Sequence, residues 1–388
     1  MKKLLFLGLL FCQVQLFAQQ DSSMNMDAVY NRPMLQLGNT PVSLGGYLEV
    51  NWQHEGVDGV SDGHQMQARR LTLFIGSQID RRIKFMTEIE LEEGGEEINI
   101  EFAAADISLH PLLNVRAGII MNPIGAFNQN HDGPKWEFTD RPMVAKELLG
   151  ATWSNAGAGL FGKYFLGKHK FAYEAYLSSG YDASIISNDQ NKTYLPASKA
   201  NKERFEEGNL LFTGKVAYGH QKWGEIGLSM MRGQYNRPLE DGLVLDQARF
   251  VSAFAMDFNH SSILDITGEV VWVNVDLPAN YTPQYGGQQF GYFIDLSKTI
   301  YKPSISFWPD ARVLLAIRWV QVDWNKGNFE ETAKPKGDEI SALSTGISFR
   351  PSSNTVLRFN YKYFQETDFL SNPPALGAKF SLGLSTYF

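Results

Sequence analysis

The chain has 388 residues, a formal net charge of −7 and one cysteine, and 44% of its residues are hydrophobic, 13% aromatic and 20% charged. A soluble chain of this length usually divides into two or more domains, so a single-domain reading requires an architecture without one central core. No run of roughly 18 apolar residues occurs, which excludes a helical membrane protein, and the acidic balance gives no support to nucleic-acid binding. A transmembrane barrel is not excluded, because its strands alternate lipid-facing and lumen-facing residues and average the apolar signal away.

At the N-terminus, Lys2 and Lys3 form a charged region, Leu4 to Cys12 an apolar one, and Leu16-Phe17-Ala18 a cleavage site ending in a small residue. Residues 1–18 therefore read as a signal peptide, and the apolar run is too short for a bilayer span. Its removal takes away Lys2, Lys3 and Cys12, leaving a more acidic mature chain that has no cysteine for a disulfide. Residues 19–42 show no period and read as a periplasmic leader, possible to seat in a barrel mouth. From residue 43 to 388 the pattern is that of a transmembrane β-barrel.

Over that region the chain breaks into segments of about ten residues, apolar at alternate positions. In the last, Ala378, Phe380, Leu382, Leu384 and Phe388 lie on one face, against Lys379, Ser381, Gly383 and Ser385 on the other. Leu343, Ile347 and Phe349 oppose Ser344, Ser348 and Arg350, and Leu357, Phe359 and Tyr361 oppose Arg358, Asn360 and Lys362. Short turns (80–82, 110–114, 166–169, 220–223, 260–262, 351–354) alternate with longer polar loops (54–66, 122–155, 181–208, 233–246, 325–337, 367–375). That asymmetry predicts an all-β antiparallel barrel of about 16 strands with both termini on the periplasmic side. The weakest stretch is 298–312, where two prolines lengthen a connection that is expected to be short. Trp52, Trp153, Tyr164, Tyr218, Trp223, Trp272, Trp319 and Phe388 fall where an aromatic girdle is expected.

Taking the less apolar face as luminal gives Arg70, Lys84, Arg116, Lys215, Arg249, Arg312, Arg318, Arg358, Lys362 and Lys379 as basic lining residues. The acidic ones are Glu49, Glu88, Glu90, Glu101, Glu174, Glu225, Asp257, Asp265, Glu269 and Asp295. A wall carrying both signs implies a water-filled lumen, since buried charges must be paired or wetted. The loop 122–155 is the expected infolded constriction: it carries Lys135, Arg141 and Lys146, and Ile124, Phe127, Trp136 and Phe138 supply apolar anchors. The pore and constriction candidates are Arg70, Lys84, Arg116, Lys135, Arg141, Lys146, Arg318 and Arg358. Most of the histidines fall in turns or loops, and none belongs to a catalytic constellation; HExxH and GxxxxGK[ST] are absent. The reading therefore assigns no catalytic residue, metal or cofactor, and it leaves a barrel enzyme and a non-conducting receptor or adhesion scaffold as alternatives.

The order Arg69-Arg70-Leu71-Thr72-Leu73-Phe74-Ile75-Gly76, Lys84 to Glu90, Asp106 to Leu109, Val115 to Gly125 and Glu137 to Pro142 resembles the phosphate-selective porin O and P family. The resemblance covers about the N-terminal 40% of the chain. It implies a trimeric, sixteen-stranded outer-membrane diffusion channel for small hydrophilic solutes or ions, including anions such as phosphate, with an infolded loop at 122–155. Members selective for phosphate line the pore with an arginine ladder and a lysine cluster, and the acidic mature chain with its mixed luminal charge departs from that. The aromatic Phe388 behind an alternating apolar strand resembles the signal read by the barrel assembly machinery. The implied surroundings are outer-membrane lipid and lipopolysaccharide.

Overall fold

The computed structural model describes residues 24–36, 40–200, 209–237, 247–279, 281, 285–329 and 331–388. The signal peptide assigned to residues 1–18 lies outside the described residues, as does part of the leader. After a two-residue strand β1 (Leu35–Gln36) the chain runs through sixteen long strands. These are β2 (Val42–Val57), β3 (Val60–Gln78), β4 (Ile83–Glu92), β5 (Glu97–His110), β6 (Leu113–Met121), β7 (Ser154–Leu166), β8 (His169–Ser179), β9 (Leu210–His220) and β10 (Gly224–Gln234), followed by β11 (Phe250–His260), β12 (Asp265–Val275), β13 (Gln288–Tyr301), β14 (Arg312–Asp323), β15 (Glu339–Ser352), β16 (Thr355–Thr367) and β17 (Ala375–Tyr387). Each pairs antiparallel with its neighbours in sequence, and β17 pairs with β2, Leu382 opposite Trp52, closing the sheet. The fold is a closed sixteen-stranded antiparallel barrel, which leaves no sheet edge unpaired.

The period-two pattern fixes which side faces out. Leu357, Phe359, Leu382, Leu384, Leu343, Ile347, Phe254, Met256 and Leu228 carry no protein cover, whereas Arg358, Asn360, Ser381 and Ser348 on the alternate positions are buried inside. A continuous apolar belt of this kind is the outer surface of a barrel that crosses a membrane. No helix among the described residues is long and apolar enough to cross one. Trp223, Trp272, Trp319, Tyr164 and Phe388 are exposed on the outside. Trp153 is not: it is fully buried inside the barrel, edge-on to Tyr181 at 5.6 Å, because it lies at the end of the infolded loop before β7 begins.

Both ends of the β2–β17 run lie at the rim that carries the short turns. The expected long loop at 54–66 is instead a strand pair that continues to a tight turn at Asp58-Gly59, both with positive φ (50° and 82°). An Asp-Gly pair is well suited to such a turn, and β3 extends beyond β4 while β2 stays paired with β17 up to Val57. The long short-rim connection, residues 302–311, folds Trp308 against the outward ring of Phe349 at 5.9 Å. At the seam, the Phe388 N–H donates to the Gly46 carbonyl (3.0 Å), and the Phe388 ring lies where a Cβ on residue 46 would be.

Candidate functional site: the barrel interior

The connection between β6 and β7 enters the barrel and crosses it. On one side its Gly125 and Ala126 N–H groups donate to Ser229 (3.0 Å) and Glu269 (2.5 Å), and Lys215 Nζ donates to the Gly125 carbonyl (2.7 Å). Gln129 then donates to Glu174 (3.0 Å), and His131 Nε2 bonds Glu88 (3.1 Å). On the far side Glu137 accepts from Arg350 (2.8 Å), Thr139 N–H donates to Asn360 (2.9 Å) and Asp140 accepts from Lys379 (3.0 Å). The loop is thus pinned to β4, β8, β10, β12, β15, β16 and β17. Buried polar groups must be matched in this way, so each wall residue specifies the loop's path as well as the wall's shape.

Residues 24–34 also lie within the barrel, at the short-turn end, before the exposed strand β1. Asn25 N–H donates to Glu225 (3.0 Å), Asp27 pairs with Lys163, and Tyr30 donates to Asp106 (2.6 Å). Arg32 is completely buried and grips the Asp132 carboxylate with two bonds (3.0 and 2.6 Å) while lying 3.0 Å from Glu88. Burial alone would raise the Asp132 carboxyl, but Arg32, Lys135 and His131 outweigh it and hold it well below the ordinary carboxylate range.

The lumen is not uniformly wet. A helix α1 (Met143–Glu147) and the segments around it bury Ile124, Val144, Leu148, Leu149, Trp153, Tyr181 and Ile185 against inward Val251, Val271, Val273, Val320, Val322 and Ile340. This dry core fills the long-loop half of the barrel against β11–β15 and corrects the expectation of a lumen hydrated throughout. Alternation does not reveal it: in β12, inward Val271 and Val273 flank outward Trp272, so both faces are apolar. Open space remains elsewhere in the lumen. At the short-turn end a vestibule of about 590 Å³ is lined by Ala28, Lys135, Glu225, Arg312 and Arg350. Toward the long loops a gap of about 10 Å³, room for about one water, lies among Glu49, Arg69, Arg141 and Arg358. Trp136 and Phe138 border both spaces and separate them.

Charge is divided across the barrel. One wall carries Arg312 and Arg318 on β14, Arg350 on β15, Arg358 and Lys362 on β16, Lys379 on β17, and Arg69 and Arg70 on β3. Arg312 sits directly opposite Arg350, and Lys362 opposite Lys379. Like charges on one rung destabilise a sheet. The other wall carries Glu88 and Glu90 on β4, Asp106 on β5, Glu174 on β8, Glu225 on β10, Asp257 on β11 and Glu269 on β12.

The pore candidates read from sequence do not form one cluster. Arg318 and Arg358 meet at the loop: Arg318 makes a bidentate pair with Asp295 (2.6 Å) and donates to the Asp140 carbonyl (2.7 Å). Arg358 donates to Glu49 (3.1 Å) and to the carbonyls of Gly133, Trp136 and Phe138. Arg70 is buried among Glu49, Glu90 and Glu92. Arg116 lies on the opposite wall, paired with Asp106 (2.8 Å) beneath the Phe161 ring. Arg141 lies over the gap, 3.8 Å from Glu90, and Lys135 lines the vestibule beside Asp132 (3.0 Å). Lys84 is exposed near the short-turn rim and Lys146 is exposed on α1, 3.1 Å from Glu147, so neither lies at the constriction. The sequence reading did not single out Arg32 or Asn360. Arg32 lies in an aperiodic segment, and Asn360 is an ordinary inward polar residue until its loop partner is known.

Fold and interior together define an outer-membrane-type barrel with an infolded loop. No family model matches the chain. An uncharacterised protein of Aquifex aeolicus is 26% identical over 347 residues, spanning 82% of this chain and 75% of that one. An anion-selective porin from Comamonas acidovorans superposes with a TM-score of 0.56 at 11% identity, covering 89% of this chain and 99% of the other. The outer-membrane channel DcaP of Acinetobacter baumannii gives 0.54 at 14% identity, covering 89% and 97%.

Proposed function

We propose that this protein is an outer-membrane diffusion channel of the porin type, passing small hydrophilic solutes with a preference for anions and performing no chemistry. The observation behind this is the basic wall, whose Arg312–Arg350 rung borders the vestibule and whose Arg69, Arg70 and Arg358 border the gap. The sheet bears the electrostatic cost of that rung beside an opening, and a local excess of one sign of charge concentrates the opposite ion. The fold shared with a porin named as anion-selective is in keeping with this. Phosphate is one anion the wall suits. The acidic groups Glu49, Glu137, Asp140 and Asp295 that pair with these cations limit the preference to a moderate one.

The gap of about 10 Å³ favours a second reading, a barrel that does not conduct until the Trp136–Phe138 segment moves. Purified, folded protein in liposomes distinguishes them. Swelling in isosmotic small sugars supports an open channel, and swelling no faster than in empty liposomes supports the closed scaffold.

Assembly is proposed on the same footing. Ala103 and Ala105 on β5, Ala117 on β6, and Ala156 and Ala158 on β7 lie side by side on the outside. They leave a smooth patch amid larger apolar residues, which suits packing of identical subunits as a trimer. Phe388 at the seam suits capture by the assembly machinery.

A further inference from the structure

We propose that His54 and His64 form an outward-facing site for a borderline divalent transition-metal cation such as Zn²⁺, Ni²⁺ or Cu²⁺. The two residues are directly opposite each other on β2 and β3, where β3 extends beyond β4 and His54 is flanked on its other side by Phe380 of β17. Their rings lie 4.7 Å apart, centroid to centroid, with 33° between planes. Imidazole nitrogens are favoured ligands for these ions, bound at about 2.0–2.1 Å for zinc, and two rings on one rung of a sheet present them together.

The pair is held and the His54 proton is placed. Trp52 stacks on the other side of His64 at 5.6 Å and 21°, and the Gln53–Gln65 bond (2.6 Å) ties the neighbouring rung on the opposite face. His54 Nδ1 faces the Gly63 carbonyl at 3.0 Å. A carbonyl only accepts, so Nδ1 carries the proton and Nε2 keeps its lone pair, the arrangement found in metal-ligating histidines whose other nitrogen donates to a backbone carbonyl. Gly63, at φ 81°, adopts the left-handed backbone that this approach uses. The pair is not enclosed, so a hydrated ion reaches it with water completing its shell, and Asp58 and Asp62 lie in the adjoining hairpin tip.

A second cross-strand pair, His169 opposite His220 at the short-turn rim, shows what the first has in addition. There His220 Nδ1 accepts the Lys222 N–H (3.2 Å), which leaves the proton on Nε2, and His169 Nδ1 is engaged by the Tyr218 hydroxyl (2.8 Å). Lys168 and Lys222 flank that pair and oppose a cation. The structure thus distinguishes two similar histidine rungs.

Untagged full-length protein in detergent, titrated with Zn²⁺ by calorimetry and with Cu²⁺ by electron paramagnetic resonance, tests the assignment. One ion per barrel is expected, with nitrogen couplings in the copper spectrum. His54→Gln and His64→Gln are each expected to weaken binding at least tenfold, and the His169→Gln/His220→Gln double variant to leave it unchanged. His64 is exposed and His54 half-buried on the barrel's outer face, and barrel folding is checked by heat-modifiable mobility. Absence of nitrogen coupling, affinity insensitive to His54 and His64, or loss of binding in the second pair's variant overturns the proposal.

Discussion

Arg358 and Glu49, 309 residues apart, meet inside the barrel seam with Nη2 3.1 Å from Oε1, and the other arm of the same guanidinium collects the carbonyls of Gly133, Trp136 and Phe138. One arginine therefore bridges β16 to β2 across the closing strand β17 and holds the loop segment that divides the lumen. Its planar fork suits this task in a way a lysine does not.

Replacing it with Met is expected to leave Glu49 buried with one cation fewer and the Trp136 and Phe138 carbonyls without the guanidinium donor. Breaking a buried pair by removing one partner costs about 3–5 kcal/mol. Guanidinium unfolding of the detergent-solubilised barrel should show a loss of that order. Channel current through the variant should also rise, because the Trp136–Phe138 segment loses its tether. Unchanged stability contradicts the role given to this residue.

Charge reversal on the basic wall is expected to move selectivity without breaking the fold. Lys379→Glu and Arg141→Glu place acids beside Asp140 and over the narrow gap, and both should shift the reversal potential toward cations. Lys135→Glu, in the wider vestibule, should shift it less, because water screens a charge more effectively there. Lys146→Glu is also expected to shift it less than Arg141→Glu, since that side chain is exposed on α1 and water screens it.

The anchoring of the loop by Asp132 gives a pH expectation with a definite sign. Its carboxyl is held below its ordinary value, so the stabilisation is complete above the unfolded pKa of about 3.9 and is lost only as pH falls through the lower folded value. Asp132 therefore stays ionised from pH 7 down to pH 4, and the stability difference between wild type and Asp132→Asn in guanidinium unfolding should be the same at both values. A difference that shrinks between pH 7 and pH 4 contradicts the assignment.

A bulky residue on the alanine patch is expected to block subunit packing. Ala117→Trp or Ala158→Trp should shift the mass measured by light scattering in detergent from trimer to monomer, whereas Leu228→Trp should not. A wild-type barrel that is already monomeric contradicts the proposed assembly.

Much of the fold was legible because a membrane barrel writes itself as alternation. Leu357, Phe359 and Leu382 face lipid and Arg358, Asn360 and Ser381 face in, and the turn asymmetry gave an even strand number. Asp58-Gly59 was legible too, as a hairpin signal hidden in a polar stretch that read as a loop. The interior was less so. Arg32 meets Asp132, and Arg358 meets Glu49, across separations that no local pattern carries, and the dry core arises where loop and wall are both apolar. The division of basic from acidic wall appears only when the strands are set in order around the barrel; tallied along the chain, the same charges look balanced.

The most direct test of the central claim is the reversal potential of the wild-type protein in a planar bilayer under a potassium chloride gradient. The account predicts discrete channels and a potential displaced toward the chloride equilibrium value. A potential displaced toward that of potassium, or no channels from pure folded protein, contradicts it.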